Sequence, residues 1–212
     1  MLDDKKNPIP AKRRFDSTVL EGLFMKNPLF SDGMVVAPAV VMAYTMKNSF
    51  ALIFVFSLVS FLTLAIASFL PKKIVYTLRI ILYTLIAAVV FIPVDICAKT
   101  IFPAEYATLG VFIPLLITNS LIITKSEQRF FLKTKGRMFI DIICYIVGYD
   151  AAILIMGVLR ELIALGTVGS RIYGVPFTVS GMALPFGGFI FLAFAAAAVR
   201  RIQIAVKQSE DD

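Results

Sequence analysis

Six stretches of the chain are almost continuously apolar: about 33–46, 49–70, 74–97, 106–124, 138–159 and 182–199. Charged and turn-forming residues collect between them. Most of these runs approach the roughly 20 residues that a helix needs to cross ~30 Å of hydrocarbon at about 1.5 Å per residue. The pattern predicts an all-α integral membrane protein with six transmembrane helices. Two runs are short. Residues 33–46 reach only about 21 Å as a helix and are interrupted by Pro38, and 106–124 is interrupted by Pro114. These two open a first three-helix repeat over 33–97 and a second over 106–199, flanked by tails at 1–32 and 200–212. Three spans per half make the second half enter the membrane from the opposite side, which gives two inverted repeats with broken helices 1 and 4. Short, proline-broken spans at matching positions of inverted halves point to a midplane site. Plain kinks, satisfied by neighbouring helices, would leave the same prolines.

Composition agrees with this reading. Of the 212 residues, 59% are hydrophobic and the mean hydropathy is +0.87, beyond the usual soluble range. The first 32 residues are too charged, and lack the early apolar run, to read as a cleaved secretory signal. The net charge of +7 is explained by membrane orientation rather than by nucleic acid. Six basic residues lie in the N-terminal tail (Lys5, Lys6, Lys12, Arg13, Arg14, Lys26), three after span 2 (Lys72, Lys73, Arg79), five after span 4 (Lys125, Arg129, Lys133, Lys135, Arg137) and three in the C-terminal tail (Arg200, Arg201, Lys207). The other side carries Lys47, Lys99, Arg160 and Arg171. Seventeen against four predicts both termini in the cytoplasm. No histidine is present, so histidine-ligated metals and histidine proton relays are excluded. Cys97 and Cys144 sit far apart in apolar runs, which excludes a CxxC site and favours buried small hydrophobes.

Polar residues inside the spans are the candidate chemistry. Thr118, Asn119 and Ser120 are consecutive within LGVFIPLLITNSLII. Thr and Ser can bond the carbonyl one turn back, but the Asn119 amide has donors and an acceptor that lipid cannot satisfy. The tract is expected to face protein or a cofactor. Asp150 falls about twelve residues, or roughly 18 Å, into span 5, near the bilayer centre. An acid there costs about 2.5–3.5 kcal/mol and faces a cavity or a partner. It is a candidate cation or proton relay, or an acid hydrogen-bonded across helices or paired with a charge on another subunit. Asp95, near the outer end of span 3, is a candidate guard of an ion exit. Arg160 and Glu161, at the outer end of span 5, read as an interfacial anchor and a partner contact.

The segments GLFMKNPLFSDGMVVAP and LGVFIPLLITNS, Glu127, Arg160-Glu161-Leu162, and Leu184-Pro185 with Gly187 together resemble the Rnf/Nqr family of membrane subunits. The resemblance is to the RnfE/NqrD type and runs from about Leu20 to Ile202. It implies six helices in inverted repeats and pairing with a sister subunit of opposite topology, of the RnfA/NqrE type. It also implies a [2Fe–2S] cluster at mid-membrane, with two thiolates from each subunit. In the family those thiolates stand immediately before the first-span proline and immediately after the Thr-Asn of span 4. Here the two positions are Ala37, before Pro38, and Ser120, after Asn119. Alanine has no ligand atom, and a hydroxyl is a poor substitute for a soft thiolate. After the span-5 Asp141 the family's glycine run is also reduced to Gly148.

The reading is therefore a divergent membrane subunit of an Rnf/Nqr-like complex, which passes electrons between ferredoxin or NADH and NAD or a quinone and moves Na⁺ or H⁺. No nucleotide-binding motif is present, so the chain is expected to be non-catalytic alone and to hold no cofactor by itself. A [2Fe–2S] cluster would rest on the partner's cysteines, or a flavin or quinone would serve in the complex. The alternatives are a cofactor-free transporter on the inverted-repeat scaffold and a structural scaffold subunit.

Overall fold

The computed structural model describes residues 40–70, 74–118, 122, 135–169, 171–172 and 178–211. Four helices long and apolar enough to cross a membrane lie among them. They are α1 (Met46–Ala67), α2 (Tyr76–Ile101), the Met138–Leu165 part of α4 (Lys135–Leu165) and the Pro185–Ile202 part of α5 (Pro185–Asp211). A short helix, α3 (Pro103–Leu109), lies between α2 and α4. The long helices coincide with predicted spans 2, 3, 5 and 6. Ala37 and Pro38 of span 1, and Asn119, Ser120 and Glu127, lie outside the described residues.

The fourth span is broken, and the break starts earlier than the proline. Helix α3 ends at Gly110, whose φ of +49° is a conformation that favours glycine. Two 3₁₀ segments follow, Gly110–Phe112 and Pro114–Thr118. A Cβ at Gly110 would meet nothing within 4 Å, so backbone strain alone resists substitution there. Pro114 begins the second segment, where its missing N–H is harmless. Leu109, Ile113 and Leu116 nevertheless bury fully, so the broken stretch packs on protein. Irregular backbone at membrane depth is tolerated on that condition.

Several boundaries differ from the hydrophobic runs. Helix α2 continues past residue 97 to Ile101, because nothing in Cys97–Ile101 opposes a helix until Phe102 precedes Pro103. It also contains Pro93 without ending. The last span continues as helix to Asp211, so residues 200–211 extend α5. A two-residue antiparallel hairpin, β1 (Thr167–Val168) with β2 (Arg171–Ile172), departs from the all-helical expectation. It pairs backbone groups where the chain reverses after α4.

The core is organised around α1, which packs against both α2 and α4. The levels of contact descend along α4 as α1 ascends: Ser49 beside Gly157, then Phe56 and Ser57 on Tyr149 and Asp150 (Phe56 and Tyr149 ring centroids 4.0 Å apart), then Phe61 by Phe139. The two helices are therefore antiparallel. Helix α2 buries one stripe (Tyr83, Ala87, Val90, Val94, Ala98) and exposes another (Leu78, Ile81, Leu85, Val89, Ile92, Ile96). An apolar face turned away from the protein suits a helix bounded by lipid or a neighbouring subunit.

Gly157 sets how closely α1 and α4 approach. A Cβ there would stand 1.9 Å from Ser49 Oγ, 3.0 Å from Ser49 Cβ and 3.1 Å from the Thr45 carbonyl oxygen. Gly157→Ala is expected to lower stability by about 1–3 kcal/mol, the usual cost of overpacking. Ser49→Ala in the same chain removes the worst contact and should recover part of that loss, read as thermal unfolding of the four forms.

Candidate functional site

Two adjacent residues of α4, Arg160 and Glu161, clamp the turn that precedes α1. A helical turn at 40–42 ends there and presents carbonyls, while α1 begins there and presents free N–H groups. Arg160 is fully buried and all five of its N–H donors find backbone carbonyls. Nη1 donates to Val40 O and to Ala43 O (3.1 Å). Nε donates to Met182 O (3.1 Å), and Nη2 to Ala183 O (3.4 Å) and Leu184 O (3.2 Å). One guanidinium thus ties span 5 to the end of span 1 and to the entry of span 6. Its cation also sits where carbonyl dipoles converge, which favours it. Arg160 is thus a buried tie within the subunit rather than an interfacial anchor, because carbonyl partners remove its need for water.

Glu161 does the complementary job. Its Oε2 accepts the Met46 N–H at 2.7 Å, and Oε1 accepts the Thr167 hydroxyl at 3.3 Å. A carboxylate at a helix N-terminus is favourable. Thr45 adds the conventional cap, its hydroxyl accepting the Asn48 N–H at 3.2 Å.

Asp150 lies at the midpoint of α4, and its partner Ser57 lies at the middle of α1. The Ser57 hydroxyl donates to Oδ2 at 2.5 Å. Oδ1 is buried and has no hydrogen-bond partner among the described residues. Thr63 Oγ1, further along α1, is likewise buried and unpartnered among them. Asp150 is thus held across helices through one oxygen, while the other meets no partner among the described residues.

Asp95 belongs to a separate cluster. Lys99 pairs with its Oδ2 at 2.6 Å, one turn along α2. The Tyr106 hydroxyl donates to Oδ1, and the Lys99 ammonium stands 5.1 Å from the Tyr106 ring centroid. The cluster bridges the end of α2 and the start of α3, on the end of the bundle that carries Lys47 and Arg160. Cys97 is exposed towards that end of α2, whereas Cys144 is buried in the first half of α4. They are not brought together, and no group of three or more His, Cys, Asp or Glu that could hold a metal occurs among the described residues.

The family described as Rnf-Nqr subunit, membrane protein, matches residues 15–197. The chain belongs to the Rnf-Nqr family of membrane subunits. It is 27% identical over 180 residues to the E subunit of the Na(+)-translocating ferredoxin:NAD(+) oxidoreductase complex of Acetobacterium woodii, covering 84% of this chain and 92% of that one. It is 24% identical over 182 residues to the E subunit of the proton-translocating ferredoxin:NAD(+) oxidoreductase complex of Clostridium ljungdahlii, covering 85% of each. Against the E subunit of the ion-translocating oxidoreductase complex of Edwardsiella ictaluri it is 28% identical over 149 residues, 70% of this chain and 63% of the relative. As an Rnf-Nqr subunit it is a multi-pass membrane protein.

Sequence reasoning missed Ser57 as the partner of Asp150, and Met46 and Thr167 as the partners of Glu161. The signal was available for Ser57: hydroxyls at Ser49, Ser57, Ser60 and Thr63 recur along α1, which is otherwise apolar beyond Asn48. Such residues in a span mark a protein-facing side.

Proposed function

We propose that this chain is the E-type membrane subunit of an ion-translocating ferredoxin:NAD⁺ oxidoreductase complex, paired with a sister subunit of opposite topology. The observation that carries the reading is the similarity to the E subunits of such complexes across most of both chains. The break of the fourth span at Gly110–Thr118 supports it, because a broken helix is what a midplane site in inverted halves requires. Both termini face the cytoplasm in this reading, following the basic residues.

The residues of this chain do not fit a [2Fe–2S] cluster by themselves. Ala37 and Ser120 stand at the positions where the family resemblance implies thiolates. A cluster in the pair would rest on the sister subunit's cysteines, or a flavin or quinone would carry electrons in its place. This chain's own part is to form half of the pair and to bear Asp150 on the ion path.

Purifying the tagged chain from its native membrane tests the reading. The expected result is co-elution with a sister membrane subunit and with redox subunits that reduce NAD⁺ from ferredoxin. Elution as an isolated chain would overturn it. Iron and acid-labile sulfide measured on this chain with only its sister subunit are expected to fall well below two iron per pair. Two iron with a [2Fe–2S] signal after reduction would make Ser120 the residue to replace.

A further inference from the structure

The seam between α1 and α4 holds one acid deep among apolar side chains and gives it one partner. The Ser57 hydroxyl donates to Asp150 Oδ2 at 2.5 Å, while Oδ1 is buried and unpartnered among the described residues. Phe56 and Tyr149, both fully buried, pack on each other beside the pair. Within one turn of it, α1 contributes Ile53, Phe54 and Phe61, and α4 contributes Ile146, Ile153 and Leu154. The further side-chain oxygens on these two turns are those of Ser60 and Tyr149. A carboxylate so placed needs a cation or a proton to remove its charge.

The donor set decides between them. A hard cation stripped of water takes about six oxygens. Backbone carbonyls supply them where a span is broken. Here α1 runs unbroken over Met46–Ala67 and α4 over Lys135–Leu165, so their mid-helix carbonyls are committed to the helical ladder. A cavity of about 300 Å³ lined by Asn48, Glu105 and Glu161 opens at the start of α1. Asn48 stands nine residues before Ser57, roughly 14 Å along the helix, so that cavity lends Asp150 no oxygen. One carboxylate and one hydroxyl hold a proton well and a bare metal cation poorly. A proton also fits the hydrogen bond that is present, because a serine hydroxyl both donates and accepts. It donates to the ionised carboxylate. Once Oδ2 carries a proton, that O–H can donate to Ser57, whose own proton can turn to the carbonyl one turn back. Oδ1 then changes from half of a buried anion to the carbonyl oxygen of a neutral acid, which costs far less to leave unpaired.

We propose that Asp150 is a reversible proton site that takes no metal cation, with Ser57 the positioning residue that holds its carboxyl in both protonation states. Loading forms one O–H bond on Oδ2 and neutralises one negative charge; unloading reverses both. The part of this proton in transport rests on the ion-translocating reading above; the exchange itself does not. Few other charges bear on the site. Of the elements packed on α4, α1 carries only Lys47, in its first turn. The 3₁₀ turn Ser180–Ala183 and β1 carry none, and α5 carries none before Arg200. Along α4 itself, Lys135, Arg137, Asp141, Cys144 and Tyr145 precede Asp150 and Tyr149 adjoins it. Arg160 and Glu161 follow, engaged with the turn before α1.

The test is infrared difference spectroscopy of the full chain in lipid nanodiscs, titrated between about pH 4 and pH 10, from an ordinary aspartate to an ordinary tyrosine. The expected result is the carbonyl band of a protonated carboxylic acid, present at low pH, lost as pH rises, and moved by ¹³C-labelling of aspartate. The band should vanish in Asp150→Asn and persist in Asp141→Asn, which removes the other buried acid of α4. Ser57→Ala should keep the band and shift its frequency, because the hydrogen bond is gone. That shift ties the band to Asp150 without altering the acid, so the test stands even where Asp150→Asn does not fold. Raising Na⁺, with choline holding ionic strength constant, should leave the titration where it is. A titration that moves to lower pH as Na⁺ rises would show Na⁺ competing for the carboxylate and would overturn the proposal. So would an Asp150 band that is absent, or present, at every pH, which would leave a fixed hydrogen bond between helices. Neither ferredoxin, NAD⁺ nor a partner subunit is in the assay, so its failure is distinct from failure of the complex to assemble.

Discussion

Replacing Arg160 with leucine should abolish the folded bundle at its sparsely basic end. Five backbone carbonyls from two other segments lose their donors at once. Hydrogen bonds to a charged group contribute about 1.5–3 kcal/mol each and do not simply add, so a total loss of several kcal/mol is expected. Leucine fills much of the volume but satisfies none of the carbonyls. Lysine keeps the charge with three donors on a flexible stem, so it should restore part of the stability. The measurement is thermal unfolding of the purified chain in detergent, with membrane abundance as a second reading. A leucine variant as stable as the unmodified protein would show that the carbonyls find other partners.

Asp150→Asn should separate electron transfer from ion movement. The amide keeps the shape of the side chain and can still accept from Ser57, but it can neither carry a negative charge nor exchange a proton. In membrane vesicles containing the complex, ferredoxin-driven NAD⁺ reduction is expected to persist, while ions moved per electron pair fall by about tenfold or more. Ser57→Ala, which removes the donor to Oδ2 and keeps the acid, should change coupling less. Unchanged coupling in Asp150→Asn would reduce Asp150 to a helix-to-helix hydrogen bond.

Sequence and structure part company at the scale of partners. Spans 2, 3, 5 and 6 were legible because each is a long apolar run, and the lipid-length requirement leaves little choice. The break in span 4 was legible through Pro114, although Gly110 begins it, because a proline announces itself and a glycine in an apolar run does not. The mid-span position of Asp150 followed from counting residues. Its partner did not, because any hydroxyl on any neighbouring helix would have served. From sequence, Arg160 and Glu161 at the outer end of span 5 read as an interfacial anchor and a partner contact. Arg160 bonds backbone carbonyls 22–24 and 117–120 residues away, and Glu161 accepts a backbone N–H 115 residues away; backbone groups carry no mark in the sequence. The cavity lined by Asn48, Glu105 and Glu161 was hidden for the same reason: they belong to three elements that only tertiary packing brings together.

Service in an ion-translocating ferredoxin:NAD⁺ oxidoreductase complex is open to one direct measurement. Inverted membrane vesicles from cells lacking the chain, and from the same cells with it restored, are supplied with reduced ferredoxin and NAD⁺. NAD⁺ reduction and uptake of ²²Na⁺ or protons are followed together. Both activities are predicted to vanish without the chain and to return with it. NAD⁺ reduction and ion uptake that proceed equally well in its absence would contradict that role.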